Sequence, residues 1–496
     1  MEDSTLTVVE VDVVIVGAGL SGIGAACHLR MERPESTFMI LEGRSDLGGT
    51  WDLFRYPGVR SDSDMHTLGY DFKPWTAEKA IADGAAIMAY LREAVVEHDL
   101  SSSIRFDHRV TEATWDSTTA RWRVRATRGD DEIVVVTSFL FMCSGYYSYE
   151  AGHTPHFEGS EAFTGQIIHP QAWPEDLDYA GKNVVVIGSG ATAVTLVPAM
   201  AETAAHVTML QRSPTYLASR PDRDSIANAL RKVLPDALAY RITRFKNTMF
   251  QQFLYKRSQS HPEKVREALL SRVTEELGDE AAVHRHFSPS YNPWDQRLCL
   301  VTNGDLFTAM REDRARVVTA TIERFDETGV VLTTGEHLDA DIIITATGLE
   351  LLSLGGVQFT VDGKRVDFSQ TWTYKGFMYS DVPNLVSVFG YINASWTLRS
   401  DLIDRFVCRL LGHMAATGSE ICTPRLRNSD QSMVPRPWID QFNPGYMTRS
   451  MHLFPKQGDR IPWLNPHDYR HDRQMFLKDP LVDGVMEFSQ PSAVTR

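Results

Sequence analysis

The stretch VDVVIVGAGLSGIGAACHLR, residues 11–30, decides the fold. Its apolar run ends at Val16 and reads as a buried parallel strand, and Gly17, Gly19 and Gly22 then fit G-x-G-x-x-G at the start of an expected helix. A second apolar segment, FMILE, closes on Glu42, about 20 residues beyond the last glycine. In such a unit the first glycine permits a tight turn, the second lets a pyrophosphate approach the backbone, and the third lets helix pack on strand. The helix N-terminus offers N–H groups to the phosphates, and the acidic residue hydrogen-bonds a ribose hydroxyl. A lone G-x-G-x-x-G is a weak signal. Flanked by two strands and with Glu42 in register, it marks a dinucleotide site.

The unit recurs at NVVVIGSGATAVTLVPAM, residues 183–200, where Gly188, Gly190 and Ala193 fit G-x-G-x-x-A and Thr192 shares the turn. Its second strand, HVTMLQRS, ends in Gln211, Arg212 and Ser213 instead of a carboxylate. An Arg212 guanidinium and a Ser213 hydroxyl can hold a 2'-phosphate, which selects NADPH over NADH; the alternative is a surface arginine at a strand end. Two nucleotide sites in one chain suggest a flavoprotein that takes hydride from NADPH. LGGTWDLFRYPG, residues 47–58, follows the ribose-binding carboxylate, and its Gly49, Thr50 and Trp51 suit a large flat ring, so FAD is expected in the first site.

Composition bounds the rest. A chain of 496 residues exceeds one hydrophobic core, so two or three domains are expected. The 43% hydrophobic and 23% charged fractions are those of a globular protein, and no apolar run approaches the roughly 20 residues that span a bilayer. The acidic, polar start MEDSTLTVVE does not read as a secretory signal, which points to the cytoplasm. A net charge of -14 argues against nucleic acid as a partner. The five cysteines form no C-x-x-C pair, so neither a disulfide framework nor a metal site is indicated.

The expected architecture is α/β, with two Rossmann-like dinucleotide-binding domains and a helical insertion in the second. Residues 1–145 would begin the FAD domain and 146–221 the NADPH domain, with the insertion at 222–290. Residues 291–370 would complete the NADPH domain and 371–496 return to the FAD domain. FLFMCSG, residues 139–145, reads as the first crossing between domains. In the insertion, Ile226, Leu230, Val233 and Leu234 share one helix face; Tyr240, Phe245, Phe250 and Phe253 could line a substrate channel, though such positions more often serve as core. Near the C-terminus, Ile403, Phe406, Val407, Leu410, Leu411 and Met414 define an amphipathic helix. Asn393 or Ser395 could cap its start, and its dipole could favour a reduced flavin ring.

Between the two nucleotide units lies FTGQIIHPQAWP, residues 163–174. Alone, its histidine and tryptophan could be packing residues at a sheet edge. Phe163, Gly165, His169, Trp173 and Pro174 match F-x-G-x-x-x-H-x-x-x-W-P, which resembles the fingerprint of type I Baeyer-Villiger monooxygenases, the class B flavoprotein monooxygenases. The resemblance covers nearly the whole chain, and segments such as HPQAWPEDLDY, YNPWDQRLC and GYINASWTL look like its ethionamide-activating branch.

The resemblance implies FAD reduced by NADPH, addition of O2, and attack of a C4a-peroxyflavin on a ketone to give an ester or lactone. A hydrophobic ketone or thioether is the implied substrate, with sulfoxidation as a second activity. It also implies a catalytic arginine at Arg297, oriented by Asp62 beside the flavin; on residues alone, Arg297 could as well be a structural salt bridge. Gln296 departs from the family, in which many members carry a lysine that grips the 2'-phosphate. His169 is expected to act as a linker residue whose hydrogen bonds couple domain rotation to nicotinamide position, with Gly165 allowing close backbone approach and Trp173 anchoring the hinge. Competing readings are a monooxygenase acting mainly on sulfides or amines, a disulfide reductase, which the missing dithiol disfavours, and a non-enzymatic NADPH-sensing flavoprotein.

Overall fold

The computed structural model describes residues 7–296, 298–440, 442 and 444–491. Two sheets organise them. In the first, strand Thr7–Val16 lies between Phe38–Leu41 and Asp131–Met142, parallel to both. Its inner residues Val13 to Val16 are buried, as a strand covered on both faces requires. Helix Leu20–Glu32 links it to Phe38–Leu41, which gives the strand–helix–strand unit expected around Gly17. Arg109–Asp116, Arg121–Arg128 and Asp131–Met142 extend the sheet as an antiparallel meander. Along Arg121–Arg128 the buried Trp122, Val124 and Ala126 alternate with exposed Arg123 and Arg125, the period-2 pattern of a strand with one buried face.

The second sheet has five parallel strands in the order Ala315–Thr319, His206–Gln211, Asn183–Ile187, Ile342–Thr345, Gln166–Ile168. Helix Ala191–Met200 buries Ala193, Val194, Leu196 and Val197 in the core beneath it. Two short strands, Tyr147–Gly152 and Leu349–Leu351, pair antiparallel where the chain leaves the first sheet and where it returns. The return falls before residue 370: Gln358–Val361 and Lys364–Arg365 already belong to the first sheet, where Gln358–Val361 pairs in parallel with Arg109–Asp116.

Four helices, Ser225–Arg231, Asp236–Ser260, Pro262–Leu277 and Glu280–His286, fill the expected insertion. Tyr240 is core, with its hydroxyl donating to the Tyr70 carbonyl at 2.8 Å. Phe245, Phe250 and Phe253 are exposed to solvent and do not pack in the core, and Ile226 and Val233 are exposed as well. Helix Thr397–Thr417 buries Ile403, Phe406, Val407, Leu410 and Met414 as its periodicity demands. Neither expected cap forms. Trp396 occupies the cap position, the Asn393 amide donates to the His467 carbonyl at 3.1 Å, and Ser395 hydrogen-bonds Thr67 through their hydroxyls at 2.6 Å.

Candidate active site between two nucleotide turns

In the first turn the chain's own packing explains two of the three glycines. Gly17 sits at φ +104°, and a Cβ there would fall 2.6 Å from the Cys143 carbonyl oxygen; at Gly22 it would fall 1.8 Å from that of Gly17. A side chain at Gly19 would meet only Gly49, at an ordinary 3.7 Å, so protein packing does not demand glycine there. That open backbone suits the close approach of a pyrophosphate. The helix ladder begins with the Ile23 N–H bonded to the Gly19 carbonyl at 3.0 Å, which leaves the preceding N–H groups at the helix mouth for an anion.

Glu42 is buried, and burial pushes its carboxyl above the usual range. Its Oε2 accepts from the Ala18 N–H at 2.6 Å and its Oε1 from the Arg44 N–H at 2.9 Å. These bonds fix the carboxylate at the strand end, and each oxygen keeps a lone pair for a ribose hydroxyl. Gly49 has φ +56° and its neighbour Gly48 φ +111°, and Thr50 hydrogen-bonds the Tyr147 hydroxyl at 2.5 Å. Trp51 packs against the core of the first sheet.

Sequence reasoning missed an aromatic cluster here. Tyr146 stacks on Trp396 with centroids 5.5 Å apart and planes at 19°, and the Trp396 indole N–H donates to the Ser21 hydroxyl at 2.8 Å. The signal lay in GYYSY, residues 145–149, three tyrosines directly after the first crossing. These residues, with the N-terminal end of helix Thr397–Thr417, sit at the mouth of the first nucleotide helix.

The second turn repeats the logic. Gly188 has φ +144°, and a Cβ would lie 2.4 Å from the Ala346 carbonyl oxygen, whereas at Gly190 it would meet no atom within 4 Å. Ala193 is fully buried in the helix, the small residue that takes the third position. Arg212 and Ser213 are exposed past the end of strand His206–Gln211, and Arg212 has no ion-pair partner among the described residues. The two turns are joined by the segment between them. Tyr56, from the loop after Trp51, lies beside the Thr192 side chain, and burial pushes its phenol up to about 12. Gly58 lies so close to the second nucleotide helix that a Cβ would come within 2.8 Å of Ala199.

The fingerprint segment lies at the junction of the two sheets. Phe163 is buried among Ile187, Leu210 and Phe325, and a Cβ on Gly165 would lie 2.3 Å from the Asp341 carbonyl, the close backbone approach expected there. The His169 Nε2–H donates to the Gly348 carbonyl at 3.2 Å, while Nδ1 accepts from the Gln171 N–H at 3.2 Å. Burial holds its pKa below the ordinary value, so the ring is neutral. The ring also packs on Gly152, where a Cβ would come within 1.9 Å of it. Gln171 donates to the Ser148 carbonyl at 2.8 Å, and Trp173 packs half-buried on the core of the second sheet. His169 therefore touches both the outgoing and the returning crossing.

Asp62 is exposed in the loop before helix Met65–Leu68. The buried acid of that loop is Asp64, which accepts from the Thr67 N–H at 3.2 Å and from the Asn247 amide at 2.9 Å and so ties the long insertion helix to the first domain. Arg297 lies outside the described residues. The five cysteines are all buried, and none is in a disulfide.

A family model described as flavin-binding monooxygenase-like matches residues 80–354, and one for an NAD(P)-binding Rossmann-like domain matches residues 15–77. The FAD-containing monooxygenase EthA of Mycobacterium tuberculosis is 50% identical over 483 residues, 97% of this chain and 98% of the relative. The probable FAD-binding monooxygenase AlmA of Acinetobacter baylyi is 47% identical over 483 residues, 97% of this chain and 96% of the relative. Among solved structures, an oxidized steroid monooxygenase bound to NADP superimposes with a TM-score of 0.71 at 27% identity, covering 84% of this chain and 88% of that one. Cyclohexanone monooxygenase bound to ε-caprolactone shares the fold, with a TM-score of 0.75 at 20% identity over 97% of this chain and 100% of that one.

The chain thus belongs to the flavin-binding monooxygenase family. It is an FAD-containing, NADPH-dependent monooxygenase, and the two turns described above are of the kind that receives two dinucleotides.

Proposed function

We propose that the enzyme inserts one oxygen atom from O2 beside the carbonyl of a hydrophobic ketone, forming an ester or lactone, and that it also sulfoxidises thioethers. The observation that carries this reading is the fingerprint segment, whose His169 bonds to one crossing, packs on the other, and lies between the two nucleotide turns. Likeness to a steroid monooxygenase over 84% of the chain adds support.

FAD, once reduced by NADPH, supplies the oxygen activation. The chain supplies placement. Gly17, Gly19 and Gly22 form the turn for the FAD pyrophosphate, Glu42 holds its ribose, and Gly49, Thr50 and Trp51 flank the ring system. Gly188, Gly190, Thr192 and Ala193 do the same for NADPH, with Arg212 and Ser213 on its 2'-phosphate. Tyr56 keeps its proton at neutral pH and offers a neutral hydroxyl beside Thr192. By its resemblance to the family, Arg297 would supply a cation to negative charge developing on the ketone oxygen, an effect worth roughly 3–4 kcal/mol where water is excluded, with Asp62 as its partner.

Purified enzyme with NADPH and isotopically labelled O2 should convert hydrophobic ketones to esters carrying one labelled oxygen. Sulfoxide from thioethers should persist at acidic pH, where ester yield falls. Sulfoxide or N-oxide with no ester from any ketone would instead favour the S- and N-oxygenating reading.

A further inference from the structure

The long insertion helix, Asp236–Ser260, is built inside out. The residues it buries include Tyr240, Thr243, Asn247, Thr248 and Ser258, a mostly polar set. Those polar groups are satisfied by the first domain: Tyr240 donates to the Tyr70 carbonyl, Asn247 to Asp64 at 2.9 Å, and Arg244 to Asp401 at 2.7 Å. The opposite side carries Leu238, Ile242, Phe245 and Phe253, spaced by four, three and eight residues and therefore on one face, with Phe250 at its edge. Phe245 is 68% exposed, Phe253 60% and Phe250 46%. Val233, just before the helix, is 76% exposed. A contiguous group of exposed aromatic and aliphatic side chains of this kind marks an interaction surface.

Its charge identifies the occupant. From Ser225 to Ser260 the chain holds seven Arg or Lys and one acidic residue, a net +6 in a protein whose net charge is -14. Lys232, Arg241 and Arg257 are exposed and make no ion pair among the described residues. Apolar side chains flanked by cations are the signature of a helix lying in the interface of an anionic membrane, where rings enter the acyl boundary and cations meet headgroups. Among the described residues no helix is long and apolar enough to cross a membrane, so this contact would lie on the surface. We infer that the face formed by Leu238, Ile242, Phe245, Phe250 and Phe253 docks the enzyme on an anionic lipid surface.

The FAD-loaded enzyme should float with equimolar phosphatidylglycerol–phosphatidylcholine vesicles and remain behind with phosphatidylcholine alone. Replacing Lys232, Arg241 and Arg257 by glutamine should weaken binding about fivefold per charge, with a smaller salt dependence. The triple variant Phe245→Ser, Phe250→Ser, Phe253→Ser should cease to float while keeping the FAD absorbance and melting temperature of the parent, since none of the three rings is buried. Failure of the parent to float with anionic vesicles, or flotation unchanged in both variants, would overturn the inference. So would a concentration-dependent dimer that the phenylalanine variant disperses, which would give the face to a second copy of the chain.

Discussion

His169 donates from Nε2 to the Gly348 carbonyl at 3.2 Å, and through that bond it holds the returning crossing between the two sheets. The same carbonyl accepts from the His153 N–H at 3.0 Å, on the outgoing side, and the His169 ring rests on Gly152 of that strand. A motion of one sheet relative to the other must pass through these two strands. Histidine suits the position because a neutral imidazole donates at one nitrogen and accepts at the other, here from the Gln171 N–H.

Replacing His169 with alanine should therefore uncouple the enzyme and spare its flavin. Loss of one such hydrogen bond is worth about 0.5–1.5 kcal/mol, so product formed per NADPH should fall roughly two- to tenfold, with peroxide making up the difference. His169→Gln, which can still donate, should recover part of the loss. Protonation of Nδ1 would break its bond to Gln171. Because burial depresses the folded pKa of His169, its contribution is present above 6.5 and is lost as pH falls through the folded value, and coupling should decline over that range. Loss of FAD from His169→Ala, or unchanged coupling, would contradict the role.

Arg212 should set the choice of nicotinamide cofactor. It is exposed at the strand end, without an ion-pair partner among the described residues, and Gln296 follows no lysine pattern that would share the load. A charge-assisted hydrogen bond is worth about 1.5–3 kcal/mol, so Arg212→Ala should raise KM for NADPH by roughly tenfold or more and leave KM for NADH unchanged. Equal effects on both cofactors, measured by steady-state kinetics, would assign Arg212 a structural role.

The glycines should separate into two groups. Gly22→Ala drives a Cβ to 1.8 Å from the Gly17 carbonyl, so helix and strand must part, at a cost of roughly 1–3 kcal/mol with loss of bound FAD. Gly190 has φ -79° and open space around its missing Cβ, so Gly190→Ala should keep the melting temperature and raise KM for NADPH. A large drop in melting temperature for Gly190→Ala would show that the turn is held by packing rather than kept open for a ligand.

Both nucleotide units were legible because a strand feeding a helix through a tight turn needs small residues at fixed positions, and Gly17, Gly22 and Gly188 meet backbone atoms at those positions. The helix Thr397–Thr417 was legible for a similar reason, its apolar residues recurring at helical spacing. What escaped depends on distant partners. Gln358–Val361 has four residues and pairs with a strand more than 200 residues earlier, so nothing local assigns it to the first sheet. Ser395 and Asn393 could cap a helix, but Thr67 and the His467 carbonyl claim them. Phe245 and Phe253 read as core or as channel lining, and only the bonds from Tyr240, Arg244 and Asn247 to the first domain decide that their face looks outward.

A buried charge cluster lies beneath the first nucleotide helix. His28, on the first nucleotide helix, lies 3.2 Å from Glu32 through Nδ1 and 3.6 Å from Asp401 through Nε2, with Asp71 at 3.9 Å. Arg244 and Arg405 bind the outer oxygens of Asp401 and Asp71 at 2.7 and 3.0 Å, and Asp404 is buried beside them. Burial works against a charged His28, but the nearby Asp401 carboxylate and the bond to Glu32 outweigh that and raise its pKa from 6.5 to about 10. Burial also raises Asp404 well above the usual carboxyl range. Both shifts mean that the folded protein holds protons the unfolded chain releases. Stability from His28 is then complete below 6.5 and is lost as pH rises toward about 10, at up to about 1.4 kcal/mol per pH unit. Urea midpoints should fall across that window in the parent and stay flatter in His28→Gln, which keeps a hydrogen-bonding group but cannot titrate. A parent midpoint that is flat, or that falls equally in both proteins, would place the proton elsewhere.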